Sequence, residues 1–391
     1  MPLDQIIMSL PEFKVINVKL VEPVVLEVIY EGKVFCPHCE SSSLRKKDSF
    51  TRKVRHFCFG QKQSTLHIKA HKFKCLKCSK YFNQRFPGIL PRKRATEPFR
   101  RDVFLKHHDG ITQKTLSERL SIGVATVERW YQDFVGLEIK KYNSSACPKV
   151  MGIDEHFFTK KQGYATTICD LTKHKVFDVT LGRSEKSLKP YLDKLSGKDN
   201  VRVILMDLSE TYRSIARQHF PKALVVADRF HVIRLINQHF LNTWKQLDPK
   251  GRKSRGLASL IRRHKRNLKP EQMPKLKKYF SEVPGLEAIY DFKQQLCDLL
   301  VIKMRTKKQC KPLARKFLSM IEQLKNSGFE SLKTLGETLE NWAQEIARMW
   351  RFTKTNSITE GLHNKMEMIS RRAYGFRNFE NYRLRVRVHC G

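Results

Sequence analysis

Negative charge is scarce in this sequence: 38 Asp and Glu stand against 76 Lys and Arg in 391 residues, a formal net charge of +38 with histidines neutral. That deficit points to a polyanionic partner, either nucleic acid or an anionic membrane surface. Long apolar runs are also missing. Stretches such as 201–206 fall far short of the roughly 18 residues that a membrane helix needs, which excludes a bilayer span. After Met1-Pro2-Leu3-Asp4 no cationic segment leads into an apolar one, so the expected compartment is the cytoplasm. Internal repeats and low-complexity tracts are absent too, which excludes a solenoid. What is present is the composition of a packed chain, 40% hydrophobic and 10% aromatic, too rich in core formers for a disordered one. At roughly 100–200 residues per domain, the length predicts two to four units.

Ten cysteines are present, and four of them form two tight pairs, Cys36-Pro37-His38-Cys39 and Cys75-Leu76-Lys77-Cys78. Without an export signal, paired cysteines mean metal before disulfide. A two-residue spacer puts two thiolates on one tight turn, so two such pairs predict one structural zinc ion held by Cys36, Cys39, Cys75 and Cys78. His56 and Cys58 lie between the pairs and are alternative ligands; the bland alternative is that these cysteines are small buried hydrophobes. Residues 13–20 and 24–30 read as two short strands around Glu22-Pro23. A β-rich zinc module over residues 1–88 follows, closed by Pro87-Gly88 and a basic linker at 91–94.

The hydrophobic period then becomes helical. Within 95–140, two amphipathic segments flank Ser121-Ile122-Gly123, with Leu116, Leu120, Ile122 and Val127 at packing positions and Gly123 suited to the turn. This pattern predicts a helix-turn-helix whose second helix offers Ala125, Thr126, Glu128 and Arg129 to a major groove. A purely structural helix pair is the alternative. From 148 to 391 the reading is three consecutive strands, then helix, strand, helix, strand and helix. That order predicts a mixed α/β sheet with flanking helices, antiparallel at first and parallel afterwards. A helical insertion spans about 241–350. It contains thirteen Lys and Arg between Lys245 and Lys278 against Asp248 and Glu271, which read either as a solvated face or as a DNA-binding one.

In so basic a chain, carboxylates at apolar strand positions are out of place unless something cationic pairs with them. Asp154 lies in the strand Met151-Gly152-Ile153-Asp154-Glu155, and Asp207 ends Val203-Ile204-Leu205-Met206. Two magnesium (or manganese) ions about 3.5–4 Å apart can clamp both oxygens of a phosphodiester exchange when several carboxylates converge on them. Capping of the next helix by Asp207 and a core ion pair for Asp154 are the bland alternatives. Asp228, after Val225-Val226-Ala227, is a rival that spacing alone does not exclude. Glu360, in Asn356-Ser357-Ile358-Thr359-Glu360-Gly361-Leu362-His363-Asn364, is the expected third carboxylate, although Ser357 and Glu360 also spell a capping box. His363 and Asn364 follow it at i+3 and i+4, placed to orient it or to touch DNA. The tail Arg371-Arg372-Ala373-Tyr374-Gly375-Phe376-Arg377-Asn378-Phe379 interleaves guanidiniums with aromatics, which suits phosphate and base contacts through Arg371, Arg372 and Arg377.

These motifs, together with Met206-Asp207-Leu208-Ser209 and Val226-Ala227-Asp228-Arg229-Phe230-His231-Val232, resemble the bacterial insertion-sequence transposases of the ISL3 family, which belong to the DDE class. The resemblance covers nearly the whole chain. It implies a ribonuclease H-like catalytic core with a large helical insertion, and a catalytic, magnesium-binding triad of Asp154, Asp207 and Glu360. Asp228 and His231 would then stand behind the triad. It further implies an enzyme that binds the terminal inverted repeats of its element through the zinc module and helix-turn-helix, cuts a strand and transfers it. Its partners would be the double-stranded DNA of element ends and target, its working form a homo-oligomer on that DNA with no role at a membrane, and its place the bacterial nucleoid. The competing class is a catalytically inactive, zinc-containing DNA-binding regulator derived from such an enzyme.

Overall fold

A computed structural model of the chain describes residues 9–142, 146–352 and 357–391. The chain divides into two compact units, Met1–Lys141 and Tyr142–Gly391.

In the first unit β1 (Phe13–Val21) and β2 (Val24–Tyr30) are the two predicted strands, and they pair antiparallel. The space between the cysteine pairs is filled by a long hairpin, β3 (Leu44–Phe59) and β4 (Lys62–Cys75), with short β5 (Tyr81–Asn83) on its end. The sheet order is β1-β2-β4-β3. Gly60, at φ 62°, lies in the hairpin turn, a conformation glycine adopts without steric cost. Leu66, Ile68 and Ala70 alternate on the buried face of β4 and pack with Val54, Phe13 and Leu10. Three helices follow: α1 (Glu97–His108), α2 (Gln113–Leu120) and α3 (Val124–Tyr142). Thr96 and Thr112 cap the first two through their hydroxyls, satisfying amides that the first turn leaves unpaired.

The second unit is built on a five-stranded sheet of β6 (Val150–Thr159), β7 (Gly163–Asp170), β8 (Lys175–Leu181), β9 (Val203–Met206) and β10 (Leu224–Ala227). Its order is β10-β9-β6-β7-β8; the β6-β7-β8 meander is antiparallel, and β9 and β10 run parallel to β6. This is the mixed sheet that the element order predicted, and it has the ribonuclease H-like arrangement that the family resemblance implied. The crossovers are α4 (Glu185–Leu192) and α5 (Glu210–His219), the latter capped by Ser209. The fourth strand is buried at every position, as a central parallel strand covered on both faces must be.

Helix α6 (Arg229–Leu247) leaves β10 and passes without a break through position 241. It is followed by α7 (Arg255–Arg262), α8 (Gln272–Glu282), α9 (Leu286–Val301), α10 (Lys307–Lys325), α11 (Glu330–Asn341) and α12 (Ala343–Arg348). The insertion is therefore not one body. Leu296, Phe317, Leu335, Ile346 and Trp350 share one core with the sheet, whereas Leu241, Trp244, Ile261, Leu276 and Tyr290 form a separate cluster around the end of α6. Helices α13 (Ser357–Arg372) and α14 (Phe379–Cys390) close the unit. On α14, Arg383 donates to both oxygens of Asp178 on β8, at 2.8 and 2.7 Å. That pair holds the helix against an otherwise open sheet edge. Among the described residues, no helix is long and apolar enough to cross a membrane.

Candidate functional site

The register across the parallel strands assembles the acidic site. Ile153 of β6 pairs with Met206 of β9, and Met206 pairs with Ala227 of β10. The residue after each partner is an aspartate, so Asp154, Asp207 and Asp228 stand in one row across three adjacent strands, in the middle of β6 and just past the carboxyl ends of β9 and β10, about 5 Å from strand to strand. In open α/β sheets that end is where ligands bind. Buried charge of one sign leaves its mark on Asp154 and Asp207. Burial first, then the neighbouring Asp207 and Asp228, push the Asp154 carboxyl up to about 7, against a hydrogen bond from the Glu155 amide (2.9 Å) and the opposing charge of His231. Burial likewise raises Asp207, helped by Glu155 and Asp228. The imidazole of His231 is raised by its 2.7 Å bond to Asp228. The shift favours the charged form of the ring, whose charge opposes the rise of Asp154 and Asp207.

Asp228 is committed elsewhere, because it caps α6 through the His231 amide and bonds the same ring, and it is 1% exposed. Asp207 is the opposite case. Its Oδ1 is buried and has no hydrogen-bond donor, and Ser209, not Asp207, caps the following helix. An orphaned carboxylate oxygen beside a second carboxylate is a set of hard oxygen donors that fits a divalent cation such as magnesium. Glu155, not singled out from the sequence, also faces this region and is held by Arg183 at 3.0 Å. The adjacency of Glu155 to Asp154 was legible, but the arginine that neutralises it comes from a distant turn.

Helix α13 brings its first turn to β7: buried Thr359 bonds Cys169, and His363 Nε2 lies 3.0 Å from Thr167 Oγ1, itself opposite Asp154 in the β6–β7 ladder. His156 Nδ1 bonds the same hydroxyl at 2.9 Å, and its Nε2 bonds the Tyr382 hydroxyl at 2.9 Å. Burial pushes both imidazoles down, His156 to about 3 and His363 to about 4, so both are neutral hydrogen-bonding groups. His363 therefore turns inward to the sheet, while Glu360 and Asn364 are exposed. The helical spacing put all three on one face; packing splits them, because His363 belongs with Thr359, Leu362 and Met366 on the buried stripe. The charges bearing most on Asp154 and Asp207 are those of His231, Glu155 and Asp228, not that of Glu360.

In the first unit, Cys36 and Cys39 lie on the connection from β2 to β3, and Cys75 and Cys78 on the turn leaving β4. Backbone bonds Glu40 N to Cys36 O (2.9 Å) and Cys75 N to Lys80 O (3.0 Å) shape these turns. The four sulfurs lie within 4.8 Å of one another, with Cys36 and Cys78 3.6 Å apart and Cys39 and Cys75 3.5 Å apart. Zinc–sulfur bonds of about 2.3 Å in a tetrahedron place sulfurs about 3.8 Å apart, so the cluster fits a structural zinc ion. The Cys78 and Lys77 amides hold the Cys75 thiol down at about 6. Neither alternative ligand joins the cluster. His56 is buried against Thr96 (2.8 Å), and Cys58 packs on the helical core, because β3 carries both residues well away from the cysteine turns.

In the helix pair, Leu116, Leu120 and Val127 are buried as expected. The turn conformation falls on Ser121, at φ 48°, rather than on Gly123; Gly123 instead supplies the carbonyl that starts α3. Ala125 and Arg129 are exposed and Thr126 half-buried, whereas Glu128 is tied to Gln113 and Gln132. In the tail, Arg371, Arg372 and Arg377 are exposed, Arg371 pairing with Glu367 at 2.7 Å. Phe379 packs edge-on against Phe158.

Two family models match separate stretches of the chain. Residues 151–386 match the family model of the ISL3-type DDE transposases, described as “Transposase”. Residues 33–78 match the zinc finger of the transposases of IS204, IS1001, IS1096 and IS1165. The transposase for insertion sequence element IS1001 of Bordetella parapertussis is 22% identical over 366 residues, covering 91% of this chain and 88% of the relative.

Proposed function

Since the chain belongs to the ISL3 family of DDE transposases, we propose that it binds the terminal inverted repeats of an insertion sequence and catalyses magnesium-dependent cleavage and transfer of DNA strands. The observation that carries this reading is the aspartate row running from the middle of β6 across the carboxyl ends of β9 and β10, with an oxygen of Asp207 buried and lacking a donor. Asp154 and Asp207 would hold the metal, with Glu360 of α13 as the third carboxylate. Bound there, magnesium would neutralise charge developing on the scissile phosphate and make the attacking hydroxyl more acidic.

The chain's own residues do the rest. The register of β6 against β9 fixes the two aspartates side by side, and positioning of this kind supplies most of the acceleration in phosphoryl transfer. Asp228 keeps His231 at the edge of the row by bonding both its ring and its amide. Ala125, Thr126 and Arg129 on α3, with Arg371, Arg372 and Arg377, would contact the DNA, and the zinc-holding turns would keep the first unit folded for that contact. A homo-oligomer holding both element ends in the cytoplasm completes the proposal.

The test is a plasmid carrying the element, incubated with protein and magnesium and examined for nicked and joined strands. Asp207→Asn should abolish both while leaving binding to duplex ends nearly unchanged. A variant that still cuts and joins would sink the assignment. Specific binding by wild-type protein with no cutting would favour the inactive regulator.

A further inference from the structure

The four residues that open α6 point in different directions. Asp228 belongs to the aspartate row, and His231 bonds back to it. Arg229 turns inward, donating to the carbonyls of Leu300 (2.8 Å) and Met349 (2.9 Å). Phe230 turns outward and is 54% exposed, its ring standing edge-on to that of His231 with 5.7 Å between centroids. It stands at the head of a groove of about 460 Å³ that runs along α6 away from the acidic row. Ile233 and Leu241 form an apolar floor over the seam between the two cores. Arg234, Arg252 and Arg262 line the walls. Among the described residues none of these three guanidiniums has a carboxylate partner, and Arg252 instead lies over the Trp244 ring at 5.6 Å.

We propose that this groove binds a single strand of DNA next to the phosphate held at the aspartate row, with an unpaired base stacked on Phe230 and phosphates on Arg234 and Arg262. The proposal rests on the functional reading above. Three features select the ligand. Unpaired guanidiniums ask for phosphate. An exposed ring asks for a flat partner, and a base offers its face only when it is out of a duplex. The groove starts within one helical turn of Asp228, so a strand anchored at the row would enter it without a break. Burying a charged wall and an apolar floor together suits a nucleotide, which has both a charged backbone and an apolar base.

The probe is a thymidine dodecamer carrying one 5-iodouracil, mixed with the full zinc-loaded chain without divalent metal other than zinc and irradiated. The expected adduct lies on the peptide containing Phe230. Phe230→Ala should lose it and weaken single-strand binding about 5- to 150-fold, the range for one stacked base, while Phe230→Trp retains both. The double variant Arg234→Ala with Arg262→Ala should flatten the salt dependence of single-strand binding by about 1.4, at about 0.7 per phosphate. All these side chains are surface groups, so zinc content and melting temperature should match wild type. Adducts confined to other peptides, or unchanged affinity and salt slope, would overturn the proposal. The functional reading is tested apart from it by plasmid nicking with Asp154→Asn: an active variant with the adduct in place removes that reading and leaves the strand groove. An inactive variant with the adduct absent does the reverse.

Discussion

At the scale of single residues, the second unit turns on one hydroxyl. Thr167 Oγ1 is shared by His156 and His363 and lies opposite Asp154, so one atom links the strand of the first aspartate to the helix that carries Glu360. Thr167→Val keeps the shape and removes the hydroxyl, leaving two buried ring nitrogens without that partner. Such orphaning costs about 1–3 kcal/mol for each group, so urea unfolding should reveal a loss of at least that size. A variant as stable as wild type would mean that water replaces the hydroxyl without penalty. The candidate site was partly legible at this scale. Asp154 stood within an apolar strand and Asp207 and Asp228 just after one, but their order of merit depended on partners, a helix cap for Asp228 and an orphaned oxygen for Asp207, that spacing does not encode.

Among the elements, the helical annex at the end of α6 contains a buried cation with a structural task. Lys293 of α9 is 2% exposed and donates to the carbonyls of Ile261 (2.5 Å) and Arg262 (3.3 Å) at the end of α7, where helix carbonyls lack partners and favour positive charge. Burial lowers its ammonium from 10.5 to about 8. Between those values the unfolded chain binds more protons than the folded one, so this group's contribution to stability rises with pH. Wild type should therefore gain on Lys293→Met as pH is raised from 7.5 to 10, measured as the difference in melting temperature. A constant difference would refute the burial argument. The elements themselves were unevenly readable. The five sheet strands of the second unit follow from apolar runs and alternation, and their crossovers from the helices between. Strand β3 was missed because its first half is exposed on both faces, which erases the period of two. The alternation of Leu66, Ile68 and Ala70 in β4 was visible and would have implied its partner. The split of the insertion between two cores follows from long-range packing, which no local period reports.

At the scale of the whole molecule, a net charge of +38 surrounds a small buried concentration of the opposite sign. In folding terms the aspartate row is a point of local frustration. Burial and mutual repulsion hold Asp154 well above its ordinary range, and a carboxyl raised on folding stabilises only at low pH, its contribution lost as pH climbs through the raised value. At neutral pH without divalent ions the row therefore weakens the second unit. Asp154→Asn should melt higher than wild type, by about 2–4 °C for each kcal/mol relieved, and magnesium should close the gap by binding the wild-type fold alone. A lower melting temperature for the variant would show that His231 already compensates the row. With the gap present, the supply of divalent ions would govern how long the folded protein survives proteolysis as well as how fast it works.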